Sequence, residues 1–267
     1  MIPMIYFFAF ILFLLLYIQF ERSKSFEVIR DILYIPDLPE DMEDLKIIHL
    51  SDLHVSKYGK REIRIKEIVE EEKPHVIFIT GDFVSNYRGI TPCLKTMEGI
   101  KAPLGVWAVW GNNDNQLKTD RLKKGLSELD IQVLNNENRI LRFRDSELRL
   151  IGVDDPHKKK DNLEEAMKDV SSCETTILLS HSPVIIHKAS IKGIKVVLAG
   201  HTHGGQVRIP LLGAIYNHTW DLFRYSSGKF KVNSTQMYVT RGLGMSLIPI
   251  RFLCPAELTV FKLKRKK

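Results

Sequence analysis

The sequence runs to 267 residues, with 39 Lys plus Arg against 32 Asp plus Glu and a net charge of +7. The surplus is not laid out as a basic stripe interleaved with stacking aromatics, which argues against nucleic acid as a partner. Cys93, Cys173 and Cys254 are an odd, widely spaced set, which excludes a disulfide framework and fits a reducing compartment.

Every residue from Met4 to Ile18 is apolar or aromatic, and Ile2 and Phe20 extend the run. At 1.5 Å per residue such a run covers roughly 26–28 Å, just enough for a hydrocarbon core of ~30 Å, so residues 2–20 are expected to form a transmembrane anchor. A basic n-region and a small-x-small cleavage site are both missing, so the run is read as uncleaved. No Lys or Arg precedes it, whereas Arg22, Lys24 and Arg30 follow. The positive-inside rule then gives a single-pass protein of the inner (cytoplasmic) membrane with its large domain on the cytoplasmic side. Residues 21–44, with Pro36-Asp37-Leu38-Pro39, read as a connector that includes an edge strand around 26–34. About 222 residues remain, enough for one α/β domain with a sizeable core. That domain is placed at 45–263, followed by a basic tail, 264–267, which either rests on an anionic leaflet or is a solvated end.

Within the domain, periodicity predicts strands at 46–50, 75–80 and 105–110, alternating with helices at 61–72, 91–99 and 118–129, the last capped by Thr119 or Asp120. Short strands follow at 131–134, 138–143 and 147–153, then a helix at 161–170. Strands recur at 175–180, 194–199, 207–209, 229–232, 236–241 and 257–263. The β-α-β units and the strand-rich second half suggest two packed sheets flanked by helices.

Polar residues recur at one place in this pattern, just past the apolar runs. Asp52-Leu53-His54 follows Ile47-Ile48-His49-Leu50, and Gly81-Asp82 follows Val76-Ile77-Phe78-Ile79-Thr80. Gly111-Asn112-Asn113-Asp114 follows Val106 to Trp110, His181 follows Ile177 to Ser180, and Gly200-His201-Thr202-His203-Gly204-Gly205-Gln206 follows Val196 to Ala199. Singly, each piece reads as a turn, cap or strand end. Five together deliver carboxylates, an amide and imidazoles to one rim, which is what a metal centre needs and a hydrophobic core does not.

The order Asp-x-His, Gly-Asp, Gly-Asn-x-Asp, His, Gly-His-x-His resembles the signature of the calcineurin-like metallophosphoesterase superfamily, over residues 46 to about 263. Gly204-Gly205-Gln206 and Tyr238-Val239-Thr240-Arg241-Gly242-Leu243-Gly244 resemble its membrane-associated bacterial branch, which includes YkuE-like and YaeI-like proteins and the lipid A enzyme LpxG. The resemblance implies a two-sheet β-sandwich flanked by helices. It implies one divalent ion on Asp52, His54 and His203, a second on Asn112, His181 and His201, and Asp82 bridging them. Donors of these types without a thiolate suit Mn, Fe or Zn better than Ca, with Mn favoured. Two such ions activate water for in-line attack on phosphorus.

Asn113 and Asp114 are the candidate catalytic residues beyond the ligands. Asp114 is expected to accept a hydrogen bond that fixes the orientation of a neighbour; the alternative is a solvated loop carboxylate. Most members of the family carry His where this chain has Asn113, and an amide cannot give up a proton at neutral pH. Strongly basic alkoxide leaving groups are therefore disfavoured. A leaving phosphate, with a last pKa of about 6, needs little help.

Two apolar loops, 210–228 and 242–250, either cradle an acyl chain or the bilayer interface or only pack. Arg208, His218, Arg241 and Arg251 lie in or near them and could contact phosphate, with Arg241 and His218 the candidate substrate-binding residues. The favoured reading is a membrane-anchored phosphohydrolase acting on a lipid-linked nucleotide diphosphate such as UDP-2,3-diacylglucosamine. The alternatives are a broader membrane-associated phosphodiesterase or phosphatase and a metal-holding scaffold without turnover.

Overall fold

In a computed structural model of the chain, the described residues are 25–117, 120–209, 213–214, 224–246 and 250–266, with isolated positions 6, 7, 10 and 13. Their strands are β1 (Phe26–Ile35), β2 (Lys46–Leu50), β3 (Val76–Thr80), β4 (Val106–Val109), β5 (Ile131–Val133), β6 (Glu137–Phe143) and β7 (Ser146–Gly152), then β8 (Thr176–Leu179), β9 (Val196–Ala199), β10 (Arg208–Ile209), β11 (Gly213–Ala214), β12 (Gly228–Val232), β13 (Thr235–Val239) and β14 (Ala256–Arg265). The helices are α1 (Lys60–Glu72), α2 (Ile90–Met97), α3 (Asn112–Leu117), α4 (Asp120–Glu128), α5 (Leu163–Ala166) and α6 (Ile186–Ile191).

The first sheet has the order β1-β14-β2-β3-β4-β5, with β14 antiparallel to β2 and every other pair parallel. The second has the order β12-β13-β9-β8-β7-β6, antiparallel in its two outer hairpins and parallel between them. Because successive side chains on a strand point to opposite faces, each buried strand feeds two cores. Ile47, Phe78 and Phe261 of the first sheet meet Leu150, Ile177 and Leu198 of the second between the sheets. Ile48, Ile77 and Ile79 turn the other way, onto Ile65 and Ile68 of α1, Cys93 of α2 and Leu122 of α4. Ile151, Leu178 and Val197 do the same beneath Leu163 of α5 and Ile186 of α6. Each fully buried aliphatic side chain contributes about 1.5–3 kcal/mol relative to exposure. The result is the expected sandwich of two sheets flanked by helices.

Some elements differ from expectation. The segment read as a connector carries β1, a ten-residue strand hydrogen-bonded along its whole length to β14, and β14 itself runs on into the basic tail as far as Arg265. The helix expected over 161–170 is the single turn α5, because Met167 leaves helical geometry and Asp169 is left-handed. After Ser182, Pro183 starts a one-turn helix that runs into α6, an element the sequence reading lacked; proline is favoured in a first turn, where its missing N–H costs nothing. Among the described residues no helix is long and apolar enough to cross a membrane. Most of the anchor expected over 2–20, the Thr119 cap, His218 and most of the loop 210–228 lie outside the described residues.

Candidate metal centre

β2, β3 and β4 run parallel, as do β8 and β9, so the strands of each set end at one edge of their sheet. Asp52, Asp82 and His181 each lie two residues past a strand, His201 likewise, and Asn112 opens α3. The first loop continues the sheet: the amides of Asp52, His54 and Val55 donate to the carbonyls of Gly81, Asp82 and Phe83 at 2.9–3.0 Å. Asp52, His54, Asp82, His201 and His203 all have positive φ, between 42° and 71°. Each such conformation costs of order 1–3 kcal/mol in a non-glycine residue and clusters where geometry is set for function. Glycines admit the close approach of the loops. A Cβ on Gly111 would lie 2.1 Å from Asp82 Oδ1, and one on Gly200 would lie 1.9 Å from Ser51 Oγ.

The side chains converge. His54 Nε2 lies 3.3 Å from His203 Nε2 and 3.4 Å from Asp82 Oδ2. His203 Nε2 is 3.6 Å from Asp52 Oδ1. His181 Nε2 is 3.0 Å from both Asn112 Oδ1 and His201 Nδ1, and 3.5 Å from Asp82 Oδ2. All of these residues but the half-buried Asn112 are buried. Donor atoms of Asp52, His54 and His203 fall within 4.8 Å of one another, as do those of Asp52, Asp82 and His181. The ligand set expected for two ions is thus brought to one place, with Asp52 common to both carboxylate-containing groups and Asp82 between the imidazoles. Lone pairs turned toward one another at these distances repel unless a cation or proton lies among them, so the donor set fits a pair of divalent ions.

Surrounding groups orient the ligands. His181 Nδ1 faces the Thr80 carbonyl at 2.8 Å, so it carries the proton and leaves Nε2 for the centre. His54 Nδ1 lies 2.9 Å from Ser85 Oγ. Asp52 Oδ2 accepts from Ser51 Oγ at 2.7 Å and from the His201 amide at 2.9 Å. Burial would lower the affinity of His181 for a proton, but the carboxylates of Asp82, Asp52 and Asp155 outweigh it and raise its pKa to about 9. Burial, with His54 and Arg251 adding to it, holds His203 well below the ordinary imidazole range.

Asp114 is no solvated loop carboxylate. It is buried, and accepts the amides of Asp82 at 2.7 Å, Phe83 at 2.9 Å and Gly111 at 3.0 Å, so it ties the loop after β3 to the loop after β4. Burial, then the neighbouring Asp82 carboxylate, pushes its pKa up to about 7. Asn113 sits on Asp82 twice, through its backbone amide to Oδ1 at 2.9 Å and its side-chain amide to Oδ2 at 2.6 Å.

The expected phosphate contacts fall elsewhere. Arg241 is ion-paired with Glu257 and, at 3.0 Å, with Glu27, and it lines a separate cavity of about 270 Å³ with Arg208 and Tyr238. Arg251 is fully buried, and its guanidinium donates to the carbonyls of Gly244 at 2.6 Å, Arg241 at 2.7 Å and Gly242 at 3.1 Å, and to His203 O at 3.3 Å. It is a clamp rather than a substrate contact. The loop starting at Gly242 is a buttress over its described length: Leu243 N donates to Ser51 O at 3.0 Å, Gly244 N to Asp52 O at 2.6 Å, and Leu243 is buried in the core. Tyr225, the one described aromatic of the other apolar loop, is likewise core.

His157 was missed. Asp155 accepts its amide at 2.9 Å and opens a one-turn helix, which sets the imidazole 4.8 Å from the His201 ring, centroid to centroid. The signal was present, since Asp154-Asp155-Pro156-His157 follows β7 in the same strand-to-loop position as the candidate ligands.

A two-sheet sandwich that gathers carboxylates, an amide and four imidazoles at one edge defines a metal-dependent hydrolase of phosphate esters. Residues 45–205 match the family of calcineurin-like phosphoesterases, and the chain belongs to it. It is 32% identical over 235 residues to the uncharacterized metallophosphoesterase YkuE of Bacillus subtilis, covering 85% of this chain and 82% of that one. It is 30% identical to an uncharacterized metallophosphoesterase of Aquifex aeolicus, covering 86% and 88%, and 26% identical to phosphodiesterase YaeI of Escherichia coli, covering 92% of each. It is a phosphoester-hydrolysing enzyme, and its family typically uses two divalent metals.

Proposed function

We propose that the chain is a membrane-anchored phosphohydrolase that splits the phosphoanhydride of a lipid-linked nucleotide diphosphate, of the UDP-2,3-diacylglucosamine kind, to UMP and a lipid phosphate. The observation that carries this reading is Asn113. It stands where the family pattern that the sequence resembles has a histidine, and its amide is committed to Asp82, so it offers no proton to a leaving group. A departing phosphate needs none. The apolar run at 2–20 supports a lipid-bound substrate and a single-pass protein of the cytoplasmic membrane, with the domain on the cytoplasmic side.

Asp52, His54 and His203 would hold one ion and Asn112, His181 and His201 the other, with Asp82 shared; Mn is favoured over Fe and Zn. Bound there, the ions would acidify water and neutralise charge on the phosphoryl oxygens. The chain itself keeps His181 in the tautomer that presents Nε2, holds Asp82 through Asn113, and locks the two loops together through Asp114.

A broader phosphodiesterase is the second reading, favoured by His157, an imidazole beside His201 that can donate a proton where Asn113 cannot. Purified full chain with Mn²⁺, offered UDP-diacylglucosamine and aryl and alkyl phosphodiesters, separates them. The first reading expects turnover of the pyrophosphate and little of the alkyl diester, with His201→Ala inactive. Turnover of diesters regardless of leaving-group basicity, lost for the alkyl ester alone in His157→Ala, would establish the second and overturn the first.

A further inference from the structure

We infer that the metal-bearing edge of the sandwich lies against the lipid bilayer, so that substrate reaches the centre from the membrane side. This rests on the membrane-anchored reading above. The argument is topological. β1 is parallel to β14 with Phe26 opposite Ala256, and β14 is antiparallel to β2 with Thr259 opposite His49. Extending that register three residues brings Ala256, and so Phe26, level with position 52. Phe26 therefore enters the fold two strand spacings, roughly 10 Å, from the column that ends in Asp52. The side chain of Glu27, one residue on, bonds Arg241 at 3.0 Å, in the segment that buttresses the Asp52 loop.

Only Glu21 to Ser25 separate this point from the apolar run. Five residues reach at most ~18 Å even fully extended. β14 is ten residues long, so its far end lies about 33 Å from the entry point. The face nearest the bilayer is then the edge that carries Asp52, Asp82, His181 and His201. That edge also exposes apolar side chains: Ile250 and Leu253 are 45% and 48% exposed, and Ile209 is 40% exposed. They flank the chain just after the second ligand loop, where Val207 pairs with Phe252 and the Arg208 amide donates to Phe252 O. Apolar groups so placed can enter the headgroup and acyl boundary, which amphipathic surfaces penetrate by ~5–10 Å.

The opposite end does not fit an anionic leaflet. Lys264 there is paired with Asp44 at 2.9 Å, the Arg265 amide donates to Glu43, and Glu40 and Asp41 lie in the same segment. The basic tail therefore faces acidic neighbours, several Debye lengths from the entry point.

Depth of immersion tests this directly. In a Cys173→Ser background, with Cys93 and Cys254 buried, a polarity-sensitive fluorophore is attached to Ile250→Cys, Leu253→Cys, Ile191→Cys or Lys266→Cys in the full chain. The labelled proteins are reconstituted in phosphatidylethanolamine and phosphatidylglycerol vesicles, with and without doxyl-labelled lipid. Quenching of at least about twofold is expected at 250 and 253 and none at 191 or 266. Ile191 is the control for exposure alone, being 83% exposed on α6, which leads into the start of β9 at the far edge. Quenching at 266 without 250 and 253, or at none of the four, overturns the orientation. Failure to float with vesicles overturns the anchor as well. Turnover is not part of the readout, so a chain that immerses this edge yet leaves UDP-diacylglucosamine intact sinks the substrate reading and leaves the orientation standing.

Discussion

The two sheets hold their candidate ligands in different ways. On the first, the loops after β3 and β4 are fastened by a residue from one of them, Asp114, whose carboxylate takes three backbone amides. On the second, the loop with His201 and His203 is fastened by chain some fifty residues downstream, through Arg251 on the His203 carbonyl and the Phe252 amide on the Gln206 carbonyl. A carboxylate gathers N–H groups on one side and a guanidinium gathers carbonyls on the other. The first device sits inside the motif that carries the ligands. The second depends on the C-terminal stretch being in place.

Removing the group common to both sides should have the largest effect. Asp82→Asn is expected to lower kcat by roughly 10³-fold or more, the several kcal/mol of charge stabilisation that a metal pair supplies; steady-state rates on an aryl phosphodiester measure it. Arg251→Met should strand several buried carbonyls and cost about 3 kcal/mol, which lowers Tm by roughly 6–12 °C. Thermal unfolding reads this, and an unchanged Tm would show that the second sheet's loop holds itself. Asp114→Asn should act on activity more than on fold, with a loss of about 10–100-fold in metal affinity or rate, because one of its atoms would now face an amide as a donor. Metal titration against both variants separates an orienting group from a clamp.

A smaller effect lies behind the centre, at His49. It is fully buried against Thr80 Oγ1 at 2.9 Å, and burial lowers its pKa to about 3. The unfolded chain binds a proton near pH 6.5 that the folded chain refuses, so this contribution to stability is full above about 6.5 and is lost as pH falls toward about 3. The slope is about 1.4 kcal/mol per pH unit per proton. Urea unfolding between pH 7 and pH 5 should show His49→Leu with a pH dependence shallower by about one proton.

What the sequence disclosed follows the same division. The candidate ligands were legible because each lies just past a β-rich run of local periodicity, and the strands after residue 45, β11 apart, were read within a residue or two on the same signal. Arg251 was not: a lone arginine in an apolar loop looks like a phosphate contact, and only the closure of the loop onto Gly242 and His203 makes it a buried clamp. The ion pairs of Arg241 were not legible for the related reason that Glu257 and Glu27 are distant from it in sequence. His157 was overlooked because Asp-Asp-Pro-His reads as an ordinary turn until β7 is set parallel to β8. α3 begins on the candidate ligand Asn112 itself, where an asparagine-rich start reads as loop.

The position of β14 between β1 and β2 bears on how the enzyme is made. The strand inserted between β1 and β2 is synthesised after every other strand of that sheet, so β1 and β2 have no shared neighbour while the intervening chain emerges. At about 5–20 residues per second that interval is roughly 10–40 s. The nascent domain spends it with a gap in its first sheet, and a truncation before Ala256 would leave the gap permanent.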